Sequence, residues 1–192
     1  MSEPSSLLVK VKISKQQLTG FLNAKPQQPT LDKSWIDWWD SKEMYSKSAL
    51  LQKDLRCYND ISNGAIIDGW INKTEKYTYG MNCGTFSHYD EAGETLHFGI
   101  IFFSENYFEM LPMIALVRSI ATFKQEDETD FAIIYPYWFG GSEKEEANAC
   151  LKFKNGQSFF IPQPDAADRK YVSSYLGKMG KLFSAEEEGK EY

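Results

Sequence analysis

The sequence predicts an α+β fold in which a mainly antiparallel sheet of about five to seven strands has helices packed on one face. Two hairpin patterns support the sheet. Residues 76–103 contain two β-like stretches around a short loop, and residues 147–161 are centred on Asn155-Gly156, a dipeptide favoured in two-residue hairpin turns. Helical spacing of apolar residues at 107–123 and 165–183 supplies two helices to cover it.

The first elements are a strand and a short helix. Residues 7–13 read LLVKVKI, and the alternation of apolar residues with lysines predicts a strand with one solvent-facing side. Ser14 is suited to cap the helix that follows, because its hydroxyl can accept a hydrogen bond from the first turn. The apolar residues of that helix fall on one side, namely Leu18, Phe21 and Leu22.

A tryptophan-rich segment comes next. Asp32 or Ser34 can cap a helix over residues 32–39. The spacing i, i+3, i+4 puts three tryptophans on one face of this helix, namely Trp35, Trp38 and Trp39. Packing in the core is the expected role of these side chains.

Two further elements are predicted before the middle of the chain. Residues 46–58 have a helical stripe formed by Leu50, Leu51 and Leu55. Asn63-Gly64 indicates a turn, and the apolar residues 65–71 then predict a short buried strand.

The middle hairpin joins residues 76–87 to residues 94–103. If Tyr89 pairs with Glu94, alternate residues divide into two faces. The core face then carries Tyr79, Met81, Cys83, Leu96, Phe98, Ile100 and Phe102. The other face carries Gly80, Asn82, Gly84, Phe86, His88, His97 and Gly99, with the two histidines diagonal to each other.

The second half of the chain alternates between helices and strands. Ser104 or Asn106 can cap the helix at residues 107–123. Residues 131–135 are continuously apolar, which predicts a buried strand. After the second hairpin, a proline-rich stretch leads into the final helix at residues 165–183.

The chain is expected to form one domain over residues 1–192, with frayed tails at 1–6 and 184–192. Apolar residues make up 42% of its 192 residues and aromatic residues 15%, which is enough to build a sizeable core. No internal repeat or low-complexity linker divides it.

The net charge of −6 is unevenly distributed. Residues 1–60 carry 9 Lys and Arg against 7 Asp and Glu, whereas residues 61–192 carry 12 against 20. A negative surface repels phosphate backbones, so nucleic acid is not expected as a direct partner. Complementary fields accelerate the encounter with a basic protein, which is therefore the kind of partner that this charge favours.

Targeting features point to the cytoplasm. The first residues lack the basic and apolar regions of a signal peptide, and no apolar stretch approaches the ~20 residues of a membrane span. Three cysteines, Cys57, Cys83 and Cys150, form neither a CxxC pair nor an even set, which favours free thiols in a reducing compartment.

Groups suited to catalysis are few. Cys83 precedes a glycine, but it is predicted in mid-strand on the core face, away from the base that a nucleophilic cysteine needs. His88 and His97 share a face without a third metal ligand. Phosphate-binding, nucleophile-elbow and zinc-protease motifs do not occur. Neither a catalytic residue nor a cofactor or metal site is expected.

A partner-binding surface is predicted around the strand at residues 131–135. Acidic residues flank both of its ends, and an aromatic loop ending in glycines follows it. Aromatic anchors ringed by charge are typical of protein interfaces. The predicted surface consists of Glu126, Asp127, Glu128, Asp130, Tyr137, Trp138, Phe139, Glu143, Glu145 and Glu146.

In its size, acidity, aromatic content and α+β character, the chain resembles bacterial toxin-immunity (antitoxin) proteins. The resemblance implies a non-catalytic protein that binds and neutralises a cognate toxin, such as a basic nuclease domain, in a one-to-one complex. Two alternatives remain open: an enzyme of unfamiliar type that uses Cys83 or the pair His88 and His97, and a self-assembling structural or phage-related protein.

Overall fold

A six-stranded antiparallel sheet organises the protein. The computed structural model describes residues 4–44, 46–58, 60–71, 83–124, 128–137 and 146–188, with the backbone alone at residues 71 and 185–188. The strands are β1 (Ser5–Lys12), β2 (Thr85–Asp90), β3 (Thr95–Ser104), β4 (Phe131–Tyr135), β5 (Ala149–Lys154) and β6 (Gln157–Phe160). Their order is β2-β3-β1-β4-β5-β6, which confirms the predicted antiparallel α+β class.

Five helices accompany the sheet in the described part of the chain. They are α1 (Lys15–Asn23), α2 (Lys33–Asp40), α3 (Asn63–Ile71), α4 (Tyr107–Ser119) and α5 (Ala166–Glu188). Single 3₁₀ turns occur at Gln52–Asp54 and Ile120–Thr122. The final helix therefore extends five residues beyond its predicted end at residue 183.

Strand β1 lies in the middle of the sheet, paired with β3 on one side and β4 on the other. Its first five residues are buried, so the predicted solvent-facing side is confined to Lys10 and Lys12. The prediction of a frayed tail at residues 1–6 is wrong for Ser5 and Ser6. The Ser6 hydroxyl donates a hydrogen bond of 2.6 Å to the Ile101 carbonyl oxygen, inside the protein.

The helices cover both faces of the sheet, so the prediction that they share one face is wrong. Helices α1 to α4 contribute to an apolar cluster on the side of Leu7 and Val9. Helix α5 packs on the opposite side, where Val172 and Leu176 join a second cluster with Leu8. The α5 face of the sheet also carries apolar side chains, among them Leu8, Phe131 and Ile133, which a single layer of helices on the other face would leave exposed.

Three helices begin where the sequence indicates. Ser14 forms a reciprocal capping box with Gln17 at the start of α1. The Asp32 carboxylate accepts a hydrogen bond of 3.0 Å from the Trp35 backbone N–H, and the Asn106 side chain accepts one of 2.9 Å from Phe108. These caps satisfy backbone donors that have no partner within the helix.

The second hairpin is also as predicted. Asn155 and Gly156 connect β5 to β6 with φ angles of 53° and 68°. Two consecutive left-handed residues match the right-handed twist of the strands, and asparagine and glycine tolerate this conformation best.

Two predicted elements are wrong. Residues 46–58 contain the 3₁₀ turn and no α-helix, and Leu51 is exposed while Leu50 and Leu55 are buried. Residues 65–71 form most of helix α3 instead of a strand, with the Ser62 hydroxyl accepting a hydrogen bond from the Ala65 N–H. A short apolar run fits a buried helix as well as a strand, so the pattern alone does not decide between them.

The middle hairpin has a different register from the predicted one, because Tyr89 pairs with Leu96 and not with Glu94. The shift is even, so the side chains keep their faces, and His88 lies directly opposite His97. Beyond Ile100 the pairing of β1 with β3 is irregular, and Phe102 packs on the α5 side, contrary to prediction. Tyr79 to Asn82 lie outside the described residues.

Candidate functional site

Four of the ten predicted partner-binding residues can be located. Glu128 and Glu146 are exposed, Tyr137 is half-buried and Asp130 is buried. The other six lie outside the described residues, namely Glu126, Asp127, Trp138, Phe139, Glu143 and Glu145.

Asp130 belongs to the interior, contrary to its predicted place on the surface. Its Oδ2 atom lies 2.7 Å from Nζ of Lys124, and the exposed fractions of the two side chains are 1% and 3%. Its Oδ1 atom accepts a hydrogen bond of 2.8 Å from the Lys12 backbone N–H. The carboxylate neutralises a buried ammonium group and accepts the backbone N–H of the last residue of β1, so it is not accessible to a partner.

Tyr137 packs partly inward. Its hydroxyl group lies against α5 at Gly177, where a Cβ atom would be only 2.8 Å away. Burial raises the pKa of Tyr137, so the phenol stays protonated at neutral pH. This part of the predicted aromatic loop is therefore a packing contact between the end of β4 and the last helix.

The three tryptophans of α2 are buried, as predicted. The Trp38 ring stacks on Phe160 with a centroid distance of 4.8 Å, and its Nε1–H donates a hydrogen bond of 2.9 Å to the Asn148 carbonyl oxygen. Trp39 makes an edge contact with Phe108, with ring centroids 5.0 Å apart. Phe108 itself is 49% exposed, so Trp39 supports an aromatic ring at the surface.

Contacts around Asn148 bring three segments together beside Phe108. The Tyr107 hydroxyl, from the first turn of α4, donates a hydrogen bond of 2.9 Å to Oδ1 of Asn148. Nζ of Lys42, just after α2, donates one of 2.9 Å to the Ala147 carbonyl oxygen. The end of α2, the start of α4 and the segment entering β5 are thereby fixed to one another.

These three segments carry five exposed carboxylates. We define the Phe108 surface as Phe108 together with Asp40, Glu43, Glu105, Glu109 and Glu146. Lys42 is the half-buried cation among them. Burial lowers the pKa of Lys42 and the charge of Glu146 opposes this, while burial and then Glu146 raise the pKa of Tyr107. Glu146 is the residue that this surface shares with the predicted one.

The sequence contained one indication of this surface that the prediction missed. Phe108 precedes the apolar stripe of α4, which begins at Met110, and so it lies off the face that the helix buries. Its neighbours on the surface come from distant parts of the chain, which only the tertiary contacts of Trp38, Trp39 and Asn148 bring together.

The reactive groups considered in the sequence lie on opposite sides of the sheet. Cys83 is buried in the cluster with α1 to α4, whereas His97 contacts α5 on the other face. His88 is exposed. Within the described residues, no group of three His, Cys, Asp or Glu side chains is arranged to hold a metal ion.

The cysteines allow a direct test of thiol accessibility. Burial, with a smaller contribution from Asp168, raises the pKa of Cys150 from 9.0 to about 12, and a buried thiol of this kind is unreactive. At pH 8 the thiolate fraction of Cys150 is therefore far smaller than that of a solvent-exposed cysteine. We expect Ellman's reagent to modify the half-buried Cys57 in the folded protein, and all three cysteines in denaturant.

Cys57→Ser provides the matched control for this measurement. The variant should contain no thiol that reacts within minutes under native conditions, while two thiols react after unfolding. Rapid native modification of Cys83 or Cys150 in this variant would contradict the buried positions described above.

Comparisons with known proteins give no relative: no family model, no curated protein and no solved structure matches this chain. In the part of the chain that the structure describes, every helix is too short or too polar to cross a bilayer.

Proposed function

We propose that this chain is a non-catalytic, cytoplasmic binding protein of the immunity type, which neutralises a basic toxin domain by binding it at the Phe108 surface. The observation that carries the proposal is Phe108 itself, half-exposed on Trp39 and accompanied by five exposed carboxylates. Cys57, Cys83 and Cys150 form no disulfide, which fits a reducing compartment and so favours the cytoplasmic location.

The aromatic ring supplies the anchor of the proposed interface. Burying a phenylalanine side chain contributes about 1.5–3 kcal/mol, and aromatic residues dominate the measured energetics of interfaces. Because Trp39 is buried against the core, the Phe108 ring is held in place before binding. Less conformational entropy is lost when a preorganised side chain becomes buried in an interface.

The carboxylates supply specificity and a fast encounter. Five acids on the Phe108 surface outnumber two nearby cations, Lys42 and Lys47, whose Nζ atoms are already hydrogen-bonded to backbone carbonyl oxygens. A field of this sign attracts lysine- and arginine-rich surfaces and repels acidic ones. A basic nuclease or another basic toxin domain has the complementary charge.

The test is a comparison of protein variants as bait in extracts of cells that encode this chain. Wild-type protein should retain one basic polypeptide, and Phe108→Ser should weaken the purified complex about 100-fold or more, measured by isothermal titration calorimetry. Glu105→Lys combined with Glu109→Lys should mainly reduce the association rate and its dependence on salt.

Leu182→Ser is the matched control, because Leu182 is 50% exposed on α5, on the other side of the sheet. It should bind like wild type. The decisive assay is co-expression: the wild-type chain and Leu182→Ser should protect a host from the captured protein, while Phe108→Ser should not. A captured protein that is harmless to the host, or binding that does not depend on Phe108, would overturn the proposal.

A further inference from the structure

One row of side chains runs across all six strands on the face that α5 covers. Direct pairing connects its members in the order His88, His97, Lys10, Phe131, Lys152 and Phe159. Four of these six groups are cationic or can become so. Like charges in directly opposed positions destabilise a sheet unless they are neutralised.

Helix α5 contacts the two parts of this row with different groups, a carboxylate at Lys152 and tyrosine rings at Lys10. Lys152 is paired with Asp168, whose Oδ2 atom lies 2.5 Å from Nζ. The helix offers tyrosines to the other end: Nζ of Lys10 lies 4.9 Å from the centre of the Tyr171 ring. Among the described residues, no carboxylate forms an ion pair with Lys10, His88 or His97.

His97, on β3, makes the direct contacts between α5 and the part of the row formed by β1, β2 and β3. Its Nε2 atom is 2.6 Å from the Tyr171 hydroxyl oxygen, and its ring stacks on Tyr175 at a centroid distance of 4.6 Å. His97 is only 7% exposed, and its buried Nδ1 atom has no hydrogen-bond partner among the described residues. The site therefore suits a neutral imidazole and offers no acceptor to a second ring proton.

The surroundings of His97 disfavour its charged form from nearly every side. His88 faces it from β2 and Lys10 from β1, while α5 contributes Tyr171 and Tyr175. Asp90, at the end of β2, is the nearby group that acts in the opposite direction. Burial, then His88 and Lys10, lower the pKa of His97 from 6.5 to about 4.

From this arrangement we infer that the docking of α5 on β2, β3 and β1 is a pH-dependent contact gated by His97. Protonation of the imidazole places a buried cation between His88 and Lys10. Release of the Tyr171–Tyr175 part of the helix lets water solvate that charge. Because the Lys152–Asp168 pair holds the start of α5 on the sheet, the released part of the helix begins at Tyr171 and extends towards its C-terminal end.

The direction of the effect follows from proton binding. Release of α5 relieves the burial of His97, while His88 and Lys10 stay opposite it in the sheet, so the pKa of the released state lies above about 4 and below the ordinary value of 6.5. Docking is therefore strongest above pH 6.5 and weakens as the pH falls from 6.5 to 4. Recovery of the whole ordinary pKa sets the upper limit of this weakening, about 20-fold between pH 7 and pH 5.

Hydrogen exchange measured by mass spectrometry tests this inference on the full chain without any partner. After correction for the intrinsic pH dependence of exchange, protection of peptides covering residues 171–183 should fall several-fold from pH 7 to pH 5, up to a limit of about 20-fold. Peptides covering β4 should keep their protection, because the backbone of β4 is hydrogen-bonded to β1 and β5 and these bonds persist when α5 is released.

Two glutamine variants make the test specific. His97→Gln keeps an uncharged group able to hydrogen-bond to Tyr171, and its α5 protection should be nearly independent of pH. His88→Gln removes the neighbouring exposed imidazole, and it should retain the loss of protection with its midpoint at higher pH. Unchanged α5 protection in the wild type, an undiminished loss in His97→Gln, or an equal loss in β4 would each overturn the inference. The Phe108 surface, on the other side of the sheet, is untouched by these variants.

Discussion

Replacing Asp130 with asparagine is expected to lower the free energy of unfolding by about 3–5 kcal/mol. Asparagine has nearly the same shape and can still accept the hydrogen bond from the Lys12 N–H. It cannot neutralise Lys124, whose side chain is 3% exposed. The buried ammonium group loses the carboxylate 2.7 Å away that offsets the cost of its dehydration, and this accounts for the size of the effect.

Urea unfolding monitored by tryptophan fluorescence measures this loss. Asp165→Asn is the matched control, because Asp165 is 61% exposed and lies 3.9 Å from Lys152, and its change should stay within about 1 kcal/mol. Adding Lys124→Met to Asp130→Asn removes the buried positive charge as well and should restore part of the stability. A cost below about 1 kcal/mol for Asp130→Asn alone would show that the pair is not buried in solution.

Trp38→Ala is expected to cost about 3–5 kcal/mol, because it leaves a cavity where α2 meets β6. The indole stacks on Phe160 at 4.8 Å and makes edge contacts with Trp35 and Tyr107 at 6.0 and 6.1 Å. Trp38→Phe should cost less, because it keeps an aromatic stack and loses the hydrogen bond to the Asn148 carbonyl oxygen.

The same denaturation assay decides this prediction. Ile36→Ala changes a 41% exposed residue of the same helix and should cost less than about 1 kcal/mol. If Trp38→Ala were no worse than Ile36→Ala, the packing of α2 on the sheet would be contradicted. Because Trp38 also contacts Tyr107, the alanine variant should weaken partner binding through displacement of the Phe108 surface.

Features encoded within a few residues could be predicted from the sequence. Ser14, Asp32 and Asn106 cap helices because their side chains reach backbone donors two or three residues away. Asn155-Gly156 forms a hairpin because its backbone preference matches the twist of paired strands. The buried face of α2 followed from the spacing of its tryptophans in the same way.

Features decided by distant contacts could not be predicted. Residues 65–71 became a helix because α3 packs against α1, where the Asn63 side chain donates a hydrogen bond to the Phe21 carbonyl oxygen. Helix α5 took the second face of the sheet because Leu8, Phe131 and Ile133 form an apolar surface there. The Phe108 surface includes Asp40 and Glu146, and no local sequence pattern indicates that these two residues lie on the same surface.

The central position of β1 has a consequence for how the protein is made. Among the six strands, β1 leaves the ribosome first, whereas its partners β3 and β4 begin only at residues 95 and 131. At translation rates of about 5–20 residues per second, β1 waits on the order of 10 s for its second neighbour. During that interval an apolar strand is open to intermolecular pairing. Lys10 and Lys12, placed at its end, are charges of the kind that discourage such aggregation in a nascent chain.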